Sequence, residues 1–349
     1  MEKIAIIAFL VMFLISIGAK AIEIGEIRVD DGKITGKYLP AGLEGKISCY
    51  KGDRKIIEMV YKNDSIEVSI QFFDTLEKIV ERDPLLKEEI RKALLPINIR
   101  GAFFGFEYSG CIIELHDAPS RFLKIFSDKI MISEIYGYEI NLLNEKLIKM
   151  KKENMSVVLM SDENLFFDGE NITANNNIIL ASFYYSEEKI EDAFLNREIG
   201  GEIIITGFDL NNETYSLSYF GEVSIEAIAI ANGRILLNIK GNSTSGKIIK
   251  ISMGKNVCLS DEFIVKFDGK KIDEANSFED ILNPNDDGIY PEYYKLDSKE
   301  GVFLLLSIPH FSEYKVSIEF IVENIFGKII AAFLGIFVIF LAALYLFKK

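Results

Sequence analysis

The chain has 349 residues, a formal net charge of −14, three cysteines and no tryptophan. That balance makes nucleic acid and anionic lipid headgroups poor partners, because the summed field repels polyanions. Three cysteines also exclude a small disulfide-dense scaffold, so stability has to come from a buried core.

In chain order, the first element is the apolar run Ile4–Gly18, behind Lys3 and followed by Ala19-Lys20-Ala21. An apolar core with a small-residue exit reads as a secretory signal peptide over residues 1–21. The matching run at the other end, Ile329–Phe347, has Lys328 before it and Lys348-Lys349 after it. At 1.5 Å per residue it spans about 28 Å, close to the ~30 Å hydrocarbon core of a bilayer. It therefore reads as a single transmembrane helix, with residues 348–349 as a cytoplasmic tail by the positive-inside rule. Everything between is expected outside the cell, with a net charge of about −17 once the leader and tail are set aside.

Between these runs the pattern is mainly β. Residues 22–105 read as a small α+β segment: short strands to Ile57, then a helical hairpin. Asp74 and Glu77 form a capping box, Asp83-Pro84 starts the second helix, and Pro96 stops it. Residues 106–219 read as a β-rich domain. Its strands include Cys111–Leu115, Ile130–Ser133, Ser156–Met160, Ile178–Tyr184 and Glu202–Thr206, with Asp168-Gly169 and Asn175-Asn176-Asn177 as turns. Residues 220–322 read as a membrane-proximal, sandwich-like β domain. Asp268-Gly269 marks a hairpin after Phe263–Phe267, and further strands lie at Ile235–Lys240, Lys247–Ser252, Val302–Ser307 and Tyr314–Val322. Residues 323–328 form a linker of at most about 20 Å, so this last domain is a fixed base.

The segment Ile308-Pro-His-Phe-Ser-Glu-Tyr314, with Phe263–Lys271, Asn276–Leu282 and Asn283–Gly288, resembles the C-terminal β domain of exported archaeal cell-surface proteins. These envelope or S-layer-associated proteins carry a similar strand just before their anchor. The resemblance covers about residues 230–322 and implies a surface-anchored β domain, not a reaction.

Several residue groups are candidates for chemistry. Asn283, Asn285, Asp287 and Glu292, with Gly288 at the sharp turn, match the start of an oxygen-lined Ca²⁺ loop, although Tyr294 replaces the usual bidentate Glu. A polar turn accounts for the same residues. His310 and Ser312 fit a self-cleavage turn, in which His activates the hydroxyl; an ordinary edge strand fits as well. The Asn-x-Ser/Thr triplets at Asn63, Asn154, Asn171, Asn212 and Asn242 become glycosylation sites in an exported chain. Of the cysteines, Cys49 and Cys111 are the closer couple in sequence, but spacing alone cannot pair them. Adjacent carboxylates such as Glu88-Glu89 and Glu187-Glu188 suit solvated surfaces better than acid–base work. Tyr290, Tyr293 and Tyr294 could form a carbohydrate platform, but such surfaces favour Trp, which the chain lacks, and strand packing is the simpler role.

Three functions compete on these readings. The first is a non-enzymatic, membrane-anchored envelope, adhesion or scaffold protein that meets other surface proteins and needs no cofactor, with Ca²⁺ as the one optional ion. The second is an extracellular ligand-binding or sensor module working with a membrane partner. The third is a carboxylate-based extracellular hydrolase, which requires two carboxylates converging in a buried cleft.

Overall fold

The structure, a computed structural model, describes residues 28–30, 33–37, 43–62, 65–71, 98–100, 103–116, 121–184, 187–211, 213–231, 233–260, 262–286, 288–298 and 301–321. The expected signal peptide, helical hairpin and transmembrane run lie outside these residues. Among the described residues no helix is long and apolar enough to cross a membrane. As the strand pattern predicts, the fold is mostly β, and the described residues hold twenty-four strands and two short helices.

Three sheets account for it. Sheet A holds fourteen strands, β1 to β14, from Arg28–Asp30 to Ile172–Tyr184. At its centre β3 (Gly45–Lys51), β9 (Arg121–Ser133), β14 and β12 (Met155–Ser161) pair in that order. Side-chain alternation then sorts residues between two faces. Ile178 and Leu180 of β14 point into a core shared with Ile47, Ile57, Met59, Ile113 and Ile130. All these residues belong to one sheet, so sheet A curls over a core of its own.

Helix α1 (Glu188–Leu195) leads from sheet A into sheet B, whose edges are β16 (Thr214–Ser218) and β22 (Glu292–Ser298). Here β15 (Ile199–Ile205) lies parallel to β19 (Lys247–Gly254), and β23 (Gly301–Ile308) lies antiparallel to β19. These three strands are buried along nearly their whole length. A strand buried on both faces reads as a continuous apolar run, and Ile203-Ile204-Ile205 and Leu304-Leu305-Leu306 are such runs. Ile203, Ile205, Ile249, Ile251, Leu304 and Leu306 face sheet C. Ile204, Ile248, Phe303 and Leu305 face sheet A. Sheet B is thus the middle layer of a three-layer stack. Sheet C closes the far side, with β17 (Val223–Ala231), β18 (Arg234–Gly241), β24 (Glu313–Phe320), β20 (Phe263–Phe267) and β21 (Lys270–Lys271) in that order. Its last strand, β24, is central in that sheet.

The chain passes from sheet A to sheet B between Tyr184 and Ile199, and from sheet B, after β16, to sheet C at β17. One sequence expectation changes. Asn175-Asn176-Asn177 is not a turn but a bulge inside β14, where the register against β9 slips between Ala174 and Asn176. Asn176 takes a φ of 58°, which Asn accepts more readily than most residues. The Asp268-Gly269 hairpin forms as read, both residues having positive φ (47° and 79°), as a type I′ turn requires.

Gly301 is a place where glycine is obligatory. It adopts φ 150°, and a Cβ there would strike the carbonyl oxygen of Met253 on the neighbouring strand. Gly301→Ala is expected to lower the unfolding free energy by about 2–3 kcal/mol, measured by denaturant unfolding of the full chain in detergent.

Candidate functional site

Buried charged groups, Glu202 and Lys250 among them, lie in the seam between sheets A and B. Phe122, Val158, Met160, Ile179, Ala181 and Phe183 come from the outer face of sheet A; Ile199, Leu217, Tyr219 and Leu305 meet them from sheet B. Phe194 of α1 is the aromatic hub. Its ring lies 4.9 Å from Tyr219 edge-on, 5.4 Å from Phe183 and 5.8 Å from Phe220.

Charged groups are enclosed in this apolar seam. Glu202 of β15 is fully buried, and Lys250, beside it on β19, is nearly so. Lys250 Nζ lies 2.9 Å from Glu202 Oε2, and Tyr219 Oη donates to the same oxygen at 2.7 Å. Lys250 Nζ also donates to Tyr219 Oη at 3.2 Å. A second knot lies beside the first. Tyr215 Oη donates to Glu114 Oε2 at 2.9 Å, Lys124 Nζ reaches that oxygen at 3.3 Å, and Phe122 stacks on Tyr215 at 5.7 Å. Burial, then the nearby carboxylates, push both phenols well above their usual titration range. They stay protonated donors at neutral pH and hold the carboxylates rather than serve as bases. Glu114 is half-buried, whereas Glu191 on α1 is buried like Glu202 and is matched by Lys149 at 2.7 Å and Ser156 Oγ at 2.5 Å.

Two clefts open onto the seam. One, of about 210 Å³, is lined by Asn144, Lys146, Asp162, Asn177, Arg197 and Tyr219, among others. The other, of about 500 Å³, is lined by Ile112, Glu114, Lys124, Phe126, Glu163 and Asn176, together with Asp162 and Asn177. The last two residues are common to both, so the clefts adjoin at the β14 bulge. The acidic groups there are tied down: Asn177 Nδ2 donates to Asp162 at 3.0 Å, and Asn176 Nδ2 to Glu163 at 2.5 Å. Among the described residues no group of three or more His, Cys, Asp or Glu is placed to hold a metal ion.

The residues singled out from sequence lie mostly away from this seam. In the Ca²⁺ loop, Asn285 Oδ1 accepts from the Gly246 N–H at 2.8 Å, and Glu292 is buried in β22 (Glu292–Ser298). Asn283 donates its backbone N–H to Asp280, and Asp287 lies outside the described residues. His310 and Ser312 are exposed in the turn joining β23 to β24, where the Ser312 carbonyl accepts from Gly241 N–H at 3.0 Å. Asn154 and Asn242 are exposed. Asn171 is half-buried and its side-chain nitrogen donates to Asp168 at 3.3 Å; Asn63 and Asn212 lie outside the described residues. Glu187 is paired with Arg121 and Glu188 is exposed, while Glu88-Glu89 is not described. Tyr293 packs on Phe263 and Tyr294 on Phe278, which puts them on opposite faces of β22 and rules out a shared platform.

Sequence reasoning missed the Glu202–Lys250 pair and both clefts. A signal for the pair exists: a lone Glu in Ile199–Ile205 and a lone Lys inside Ile248–Met253 each interrupt a buried apolar run. Helix α2 (Phe278–Ile281) was missed too, although Ser277 and Asp280 spell its cap; Ser277 Oγ accepts from Asp280 N at 3.2 Å.

No family model and no curated protein matches the chain. Among solved structures, one similar chain is a glycoside hydrolase family 81 protein from Clostridium thermocellum, solved as a point mutant. It is 8% identical with a TM-score of 0.29, over 85% of this chain and 32% of that one. The chain thus spans about a third of that protein's length, and a likeness at this level carries no functional argument.

Proposed function

We propose that this chain is a non-catalytic, membrane-anchored surface protein whose stacked sheets form a rigid envelope, adhesion or scaffold body, of the exported archaeal type that its C-terminal β segment resembles. The observation that carries this reading is the middle sheet, buried on both faces. It joins the distal sheet to the sheet holding β24, whose last residue, Phe320, precedes the apolar run at Ile329 by only a few residues. A body built this way transmits load to its anchor instead of closing around a substrate. The seam carboxylates favour the same reading, because Glu202, Glu114 and Glu191 are each matched by a lysine and a hydroxyl. A hydrolase needs one carboxyl held neutral opposite another held charged.

Removing residues 329–349 is expected to shift the protein from carbonate-washed membranes to the medium. Accumulation of the shortened chain in the cytosol would contradict the reading.

The adjoining clefts at Asp162 and Asn177 favour a second reading, a ligand-binding module in the distal part of the chain. Its polar rim and the exposed ring of Phe126 suit a small polar ligand. Asn177→Leu would then abolish binding while leaving the melting temperature within a few degrees.

A further inference from the structure

From the strand geometry we infer that Cys49 and Cys111 form a buried disulfide that staples the middle of sheet A when the chain folds in an oxidising compartment. The proposal rests on the exported location proposed above, since disulfides persist in such compartments.

Strand β9 is unusually long, and its two halves are paired by different strands along one edge. Its first half pairs with β8 (Cys111–His116), Ile112 lying opposite Phe126. Its second half pairs with β3, Tyr50 opposite Lys129 and Cys49 opposite Ile130. The end of β3 and the start of β8 therefore abut near Ser127 and Asp128. Local bonds hold the junction closed. Ser127 Oγ donates to the Tyr50 carbonyl at 2.9 Å, Gly52 N–H to Asp128 at 3.1 Å, and Lys51 Nζ to the Ser109 carbonyl at 3.1 Å. Cys49 near the end of β3 and Cys111 at the start of β8 both face the core enclosed by sheet A, so the two thiols lie on the same side of the junction.

Both thiols are fully buried in the core of sheet A and neighbour each other there. Cys258, the remaining cysteine, is half-buried near Met253 in sheet B, with its Sγ 3.6 Å from that residue's carbonyl. The pairing left open by sequence spacing is thereby narrowed to one.

The neighbouring Cys111 thiol, and then burial, push the Cys49 thiol well above its usual range, so thiolate is scarce once the sheet has formed. Oxidation therefore belongs to the folding chain, before the core closes. The two thiols lose two protons and two electrons as the S–S bond forms. The electrons pass to a disulfide acceptor, a thiol oxidoreductase in the envelope or oxidised glutathione in the tube, which becomes two thiols.

The test is to reduce and unfold the purified full chain, refold it in detergent with a glutathione redox couple, block free thiols, and map peptides by mass. The expected result is one cross-linked species joining the Cys49 and Cys111 peptides, with Cys258 alkylated. Reduction of that species should lower the melting temperature by about 5–15 °C, and Cys258→Ser should change neither result. Three alkylated thiols in the refolded protein, or a bond that includes Cys258, would overturn the proposal. Location is read separately by labelling intact cells, so a cytosolic chain that still forms the bond in the tube refutes the location alone.

Discussion

Lys250→Met is expected to lower the unfolding free energy of the full chain by about 3–5 kcal/mol, one of the two largest effects any single change here should produce. The cost comes less from losing an attraction than from what remains. Glu202 is fully buried in the seam, and without Lys250 its carboxylate keeps only the Tyr219 hydroxyl among the two partners described at Oε2. A buried charge without its counter-charge is far more costly than a buried neutral pair. Two controls make the claim specific. The double variant Glu202→Leu with Lys250→Met should recover most of the loss, because apolar replacements of a whole buried pair are commonly neutral. The single variant should also regain stability as the pH falls, because protonating Glu202 removes the stranded charge. Guanidinium unfolding at two pH values checks both; a Lys250→Met loss below about 1 kcal/mol would reduce the pair to the worth of a surface contact.

Phe194→Ala is the second. The ring is almost fully buried and touches Phe183 on sheet A as well as Tyr219 and Phe220 at the start of the C-terminal sheets. Truncating a core Phe costs about 3–5 kcal/mol, part transfer and part cavity. The position makes a further effect expected. The seam is what couples sheet A, which has a core of its own, to sheets B and C, which share another. Weakening it should split one calorimetric transition into two. Phe320→Ala, away from the seam, should lower stability without splitting the transition. A single sharp transition in Phe194→Ala would mean that the layers are coupled elsewhere.

How much of this was legible in the sequence depends on the range of the interaction. The Asp268-Gly269 hairpin and the strands at Phe263–Phe267 and Val302–Ser307 could be read because turn chemistry and alternation act between near neighbours. The three-layer stack could not. It rests on the parallel pairing of Ile199–Ile205 with Lys247–Gly254 and on sheet A curling over itself, and both are set by residues far apart in the chain. The Asn175-Asn176-Asn177 stretch misled for a physical reason: Asn serves a turn and a bulge equally well, since both ask for a left-handed φ. Glu202 and Lys250 were visible as oddities in apolar runs, yet only the parallel register makes them neighbours.

The proposed function stands or falls on where the three sheets face. Lys33, Lys189 and Lys240 present well-exposed side chains on the described surface, whereas Lys348 and Lys349 are expected on the cytoplasmic side. Intact cells treated with a membrane-impermeant amine reagent should yield the first three labelled and the terminal pair unlabelled, in protein that stays with carbonate-washed membranes. Labelling of Lys33, Lys189 and Lys240 only after lysis would contradict a surface-anchored body.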